Sequence, residues 1–217
     1  MESGHLDIGL LPVAEIARQE LDVVPGVGIT CLGAVRSILL FSRVPWRQVM
    51  TVAADSSSRT SVQLAKLILR ERYGVVPRIH AESPHLDVML SHSDAALVIG
   101  DPALRLAPEM LPYRWLDLGA EWLELTNLPM VFAAWGVRRG LQTDLFRELT
   151  RSSYEFGRAN LQAIIDEQPD TRGLSTDLAA AYLRHHIRFE IGPDEQRGLE
   201  AFLELANLVR TAVATEF

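Results

Sequence analysis

The spacing of apolar positions changes several times along the chain, and each change marks an element. Leu6 to Val13 is an apolar run interrupted by Asp7, Gly9 and Pro12, which predicts a buried strand leading into a short helix over Ala14 to Gln19. A second β-rich run spans Gly28 to Val44, with Gly33 allowing a break or bulge between its halves. Thr51 to Ala54 reads as a short buried strand, after which Val62, Ala65, Ile68 and Leu69 fall at helical spacing up to a Tyr73-Gly74 C-cap. Pro77 to Ala81 predicts another strand and Leu86 to Leu90 a short helix. Asp94-Ala-Ala-Leu-Val-Ile-Gly-Asp-Pro102 is the cleanest buried strand, an apolar stretch flanked by aspartates.

Tyr113 to Leu118 predicts a strand, followed by Gly119 and a short helix carrying Trp122. Thr126 to Val137 reads as a turn and a long buried strand, similar in texture to Val35 to Val44. Two such strands bracketing residues 45 to 128 look like crossings between two lobes. From Asp144 the pattern is helical: Leu145 to about Asp166, Thr176 to Ile187, and Pro193 to about Val213, the last with Pro193 at N1 and Asp194 and Glu195 in its first turn.

Composition narrows the function classes. A chain of 217 residues with 48% apolar residues can bury a sizeable core. A net charge of −7 and a pI near 5.4 argue against nucleic acid or an anionic membrane as the main partner. Cys31 is the one cysteine, which excludes an internal disulfide, fits a reducing compartment and reads as a small buried hydrophobe. The N-terminus has no basic region or apolar run of a secretory signal, and no stretch is apolar for the roughly 18 residues of a membrane span. A soluble cytoplasmic protein is expected. His185 and His186 point to different faces of a helix, and His80, His85 and His92 lack metal-ligand spacing, so neither metal nor cofactor is expected.

Candidate chemistry collects at three places. The turn from Asp55 into the helix carries Ser57, Ser58, Thr60 and Ser61, all candidate N-caps, where first-turn N–H groups point outward. Arg59 adds a planar positive fork, so the turn suits a small carboxylate; a capped helix with a solvated arginine accounts for the same residues. Gly100 and Asp101 stand at the carboxyl end of the clean strand, where α/β sheets collect ligands, although Asp101 equally suits a helix cap. Ser37 sits within an apolar run, where a serine usually just bonds a nearby carbonyl.

Taken in order, Leu6-Asp-Ile-Gly-Leu-Leu-Pro12, Gly33-Ala-Val-Arg-Ser37, Ser57-Ser-Arg-Thr-Ser61, Asp94 to Ala103, Asn127-Leu-Pro-Met-Val-Phe132, Trp135 and the tail Tyr182 to Gly192 form a specific set. The set resembles the chorismate dehydratase family of the futalosine route to menaquinone. The resemblance implies a two-lobed α/β fold of the type II periplasmic-binding-protein kind with a helical tail, lobe one comprising 1–43 and 132–217 and lobe two 44–131. It implies removal of water from chorismate to give 3-[(1-carboxyvinyl)oxy]benzoate, with Ser37 as the active-site serine, Ala34 replacing the proline of the family's pattern, and Ser57 to Ser61 holding a carboxylate. With no histidine or obviously perturbed acid beside these motifs, the substrate's own enolpyruvyl carboxylate is expected to take the proton. Of the tryptophans, Trp135 is expected nearest the cleft, as a stacking partner for a flat ring; Trp46, Trp115 and Trp122 suit a core.

Met1 falls where that family is already about to enter an inner strand, so its opening strand, helix and cleft-lining asparagine are expected to be missing, through a start codon placed too far downstream. Two other readings share the fold: a non-catalytic cytoplasmic binding protein for a small carboxylate, and the sister enzyme 1,4-dihydroxy-6-naphthoate synthase. Oligomeric state is not legible in these residues.

Overall fold

The computed structural model describes residues 6–55, 58–141, 143–167 and 173–208. Its strands form two sheets. The first contains β1 (Ile8–Pro12), β2 (Asp22–Cys31), β8 (Met130–Val137) and β9 (Arg188–Glu190), in the order β1-β8-β2-β9. Both β1 and β2 pair antiparallel with β8, so they run parallel to each other. The second contains β3 (Ile38–Ser42), β4 (Thr51–Ala54), β5 (Arg78–Ala81), β6 (Ala95–Ile99) and β7 (Arg114–Asp117), in the order β5-β4-β6-β3-β7. Here β4 is parallel to β5 and β6, while β3 is antiparallel to β6 and β7. The carboxyl ends of β4 and β6 therefore lie beside the start of β3, along one edge.

Because side chains alternate along a strand, β3 feeds two cores. Ile38 and Leu40 join one shared with α2 (Arg59–Tyr73) and α5 (Leu118–Thr126), through Leu64, Ile68 and Trp122. Leu39 and Phe41 join the other, under α3 (Leu86–His92) and α4 (Asp101–Leu104), with Met89 and Ala103. The first core does not stop at the second sheet: it continues through Val13 and Ile16 of α1 (Val13–Arg18), Phe132 of β8 and Phe202 of the last helix. Trp122 meets Phe202 edge-on at 6.1 Å between ring centroids and donates its indole N–H to the Pro129 carbonyl at 3.0 Å.

The apolar runs expected to be strands are strands, with two differences in where the chain changes sheets. Residues 38–43 are expected in lobe one, but β3 pairs with β6 and β7 in the second sheet, so the chain changes sheets between Cys31 and Ile38. The return comes before residue 132, since Met130 of β8 already pairs with Cys31. The helix expected over Leu145 to Asp166 is two, α6 (Thr143–Ala159) and α7 (Leu161–Glu167). That over Thr176 to Ile187 is α8 (Thr176–Ala181) followed by a π-helical turn over Tyr182–His186. The last, α9, is Pro193–Leu205, and residues 209–213 of its expected span lie outside the described ones. Among the described residues no helix is long and apolar enough to cross a membrane. Strand β1 is an edge strand, with Leu10 exposed.

Candidate active site

The loop before β3 is held by one carboxylate. Asp117, at the end of β7, caps α5 by accepting the N–H groups of Gly119 (2.9 Å) and Ala120 (3.2 Å). The same carboxylate accepts the N–H groups of Val35 (3.0 Å) and Arg36 (2.6 Å). Arg36 is thereby kept in the left-handed region at φ 67°, a conformation uncommon for a side chain with a Cβ. Its guanidinium is spent on the carbonyls of Ala103 and Leu106. Gly119 must be a glycine: a Cβ there would meet the Gly33 oxygen at 2.5 Å and Cys31 Sγ at 2.8 Å.

Ser37 follows, buried at 4% exposure. Its carbonyl accepts from the Gly100 N–H at 2.8 Å, and its Oγ lies 3.0 Å from the Tyr182 hydroxyl. Burial pushes the Tyr182 phenol above its ordinary value; the bond to Ser37 works the other way, and the Asp101 charge adds to the rise. The phenol therefore stays protonated at neutral pH. Ser37, Gly100, Asp101 and Tyr182 are one cluster at the open end of the second sheet. Next to it His186 Nδ1 lies 3.2 Å from the Ala34 carbonyl oxygen.

The hydroxyl turn lies on the same edge. Ser58 is the N-cap of α2, its Oγ accepting from Ser61 N (3.3 Å) and Ser61 Oγ (3.0 Å). Since β4 and β3 are separated only by β6, the turn and Ser37 stand two strand spacings apart, about 10 Å. Thr60 is fully buried, and its Oγ1 accepts from the Ala14 N–H at 3.1 Å, which ties α1 to α2. Arg59 Nε pairs with Glu15 Oε2 at 2.9 Å, so the fork expected to grip a ligand is committed to α1. Arg18 above all, against the opposing effect of burial and with help from Gln19 and Arg59, holds the Glu15 carboxyl down at about 2.

The family model described as menaquinone biosynthesis matches residues 1–208. The chain belongs to this family. Chorismate dehydratase of Thermus thermophilus is 30% identical over 207 residues, covering 88% of this chain and 75% of the relative. Chorismate dehydratase of Campylobacter jejuni is 25% identical over 162 residues, covering 74% of this chain and 60% of the relative. Among solved structures, protein AF1704 from Archaeoglobus fulgidus matches with a TM-score of 0.70 at 17% identity, over 95% of this chain and 80% of that one. The periplasmic aliphatic sulphonate binding protein SsuA from Escherichia coli matches at 0.59 and 16% identity, over 93% and 71%. These two show the fold, that of periplasmic binding proteins.

Of the residues singled out in this family member, the structure gathers Ser37, Gly100 and Asp101 and places Ser58 and Ser61 along the same edge. Thr60 and Arg59 are turned to α1, and Ser57 lies outside the described residues. Trp135 belongs to the first sheet, mid-strand between Leu10 and Val24, half-buried, two residues beyond Ala133, whose partner Pro12 marks the end from which α1 sets out toward Thr60. Cys31 is buried, and burial with the Asp117 charge pushes its thiol up to about 12, leaving it a weak donor to the Gly33 carbonyl. Tyr182 and Asp117 escaped the sequence reading of the site. An Asp ahead of a helix start is a cap signal, and it was available at Asp117; nothing local marks Tyr182.

Proposed function

We propose that the chain is a chorismate dehydratase, a hydro-lyase that removes water from chorismate to give 3-[(1-carboxyvinyl)oxy]benzoate. The observation that carries this reading is the Ser37–Tyr182 pair standing on the same sheet edge as the Ser58 turn, in a member of the menaquinone biosynthesis family. The substrate has two carboxylates about a ring apart, and the edge offers two places for them: the hydroxyls and first-turn N–H groups at the start of α2, and the cluster at Ser37 and Gly100. In this reading the ligand lies between two lobes, one built on each sheet.

The reaction breaks a ring C–H bond and the C–O bond of the ring hydroxyl. The enolpyruvyl carboxylate of the substrate takes the ring proton. Ser37, oriented by the Tyr182 phenol, donates to the departing hydroxyl, which leaves as water; Tyr182 restores the serine proton, and the proton taken by the carboxylate returns to the phenol by way of solvent. Ring aromatisation drives the step.

Incubating the protein with chorismate and following the aromatic product by chromatography tests this. Conversion that falls about 100-fold or more in Ser37→Ala is expected. Chorismate bound tightly and recovered unchanged would instead favour a receptor for a small carboxylate.

A further inference from the structure

A cavity of about 780 Å³ lies away from the Ser37 edge, among α6, α7, β9 and the turn over Tyr182–His186. Its walls are apolar and aromatic, with Leu161, Ile164 and Ile187 beside Tyr154 and Phe189, whose rings are 6.2 Å apart and tilted by 38°. Arg158, Arg184 and Arg188 line it too. Arg158 lies 6.0 Å over the Tyr154 ring and Arg184 donates to Gln162 at 2.7 Å. Among the described residues none of the three is in an ion pair with a carboxylate. Two carboxylates line it as well: Glu195 accepts from the Gly192 N–H at 3.0 Å, and Glu190 lies near the Tyr154 hydroxyl, as Arg158 does. An aromatic slot of this size, with three guanidiniums in its lining against two carboxylates, suits a flat ring bearing a negative group.

The turn connects this cavity with the serine. Leu183, Arg184 and His185 line the cavity, while Tyr182, the first residue of the same turn, bonds Ser37 from its other side. The turn closes on itself through the Ile187 N–H to the Tyr182 carbonyl at 3.2 Å, so its two ends are joined directly. Turns of this wide kind recur at functional sites.

We propose that this cavity is a second binding site, for an aromatic carboxylate, and that its occupancy is transmitted to Ser37 through Tyr182–His186. The binding half stands apart from the proposed reaction; the consequence for turnover rests on it. Benzoate titrated calorimetrically into the full chain is expected to bind saturably, to bind Ser37→Ala saturably too, and to bind Arg158→Gln and Arg188→Gln about tenfold more weakly. Binding lost in Ser37→Ala, binding unchanged in both arginine variants, or no binding would overturn the site. Saturating benzoate is expected to slow amide exchange over 183–187 in the wild type and not in Arg158→Gln; unaltered exchange in the wild type would overturn the coupling. Both measurements are made without chorismate, so a chain that binds benzoate as described yet leaves chorismate unchanged would refute the proposed reaction alone.

Discussion

At the scale of single residues, Asp117 governs more of the site than any group that touches Ser37 directly. Its carboxylate is acceptor to four backbone N–H groups drawn from two elements, and one of them fixes Arg36 in a left-handed conformation. Removing it in Asp117→Ala strands four donors in a buried place and frees the loop that aims Ser37. A loss of about 3 kcal/mol in urea unfolding is expected, together with lost chorismate turnover. Asp117→Asn should recover part of the stability, since its amide oxygen can still accept. A variant as stable and as active as the wild type would show that the loop holds itself. Ser37 entered the candidate site through the family resemblance, since a serine inside an apolar run usually only bonds a nearby carbonyl, and Asp101 through its place after Gly100 at the carboxyl end of a buried strand. Tyr182 and the Glu15 partner of Arg59 were not, because each is paired with a residue far away in the chain, and spacing within one element carries no trace of such a pairing.

At the scale of elements, α1 poses the question of why six residues are helical at all, since an isolated helix of that length is unstable in water. The answer lies across the junction with α2: Thr60 accepts the first-turn Ala14 N–H, and Arg59 pairs with Glu15. The Glu15 carboxyl is held at about 2 against an ordinary 4.5, by Arg18 within α1 first and by Arg59 across the junction last, so it is α1 as a whole that is pH-sensitive. A depressed folded-state value means that its contribution is complete above 4.5 and lost as pH falls toward 2. Thermal midpoints measured from pH 5 to 2.5 should therefore drop more steeply in the wild type than in Glu15→Gln; parallel slopes would mean that the Glu15 carboxylate, with Arg18, Gln19 and Arg59 together, adds nothing. The long apolar strands could be read from sequence because burial on both faces leaves an unbroken run. Strand β9 could not: it is three residues long, Arg188–Glu190, and only its register with Val27 and Thr30 makes it a strand. The opening half of β2 was hidden in the same way by Pro25 and Gly26, which the strand absorbs in an irregular stretch between Val24 and Gly28.

For the whole molecule, two sheets and two chain crossings suggest two bodies that hinge, yet the apolar core runs from one sheet to the other without a break. Trp122 of α5, packed against the second sheet, is seated on Phe202 of α9, and its indole is pinned to Pro129 at the crossing. Contacts of this kind make the unfolding of either sheet costly to the other. Phe202 is fully buried, so Phe202→Ala should cost about 3–5 kcal/mol. The informative part is where that loss is felt. If the sheets share one core, amide exchange in β4 and β6 should quicken as much as in β2 and β8, although Phe202 belongs to a helix packed on the first sheet. Urea unfolding should stay a single transition, with tryptophan fluorescence and circular dichroism coinciding. Faster exchange confined to the first sheet, or two separated transitions, would mean that the lobes are energetically independent. Closure on a ligand would then be a rigid rotation about the crossings at 32–37 and 127–129, whereas a shared core confines closure to the segments that border the edge, the turn at Tyr182 first among them.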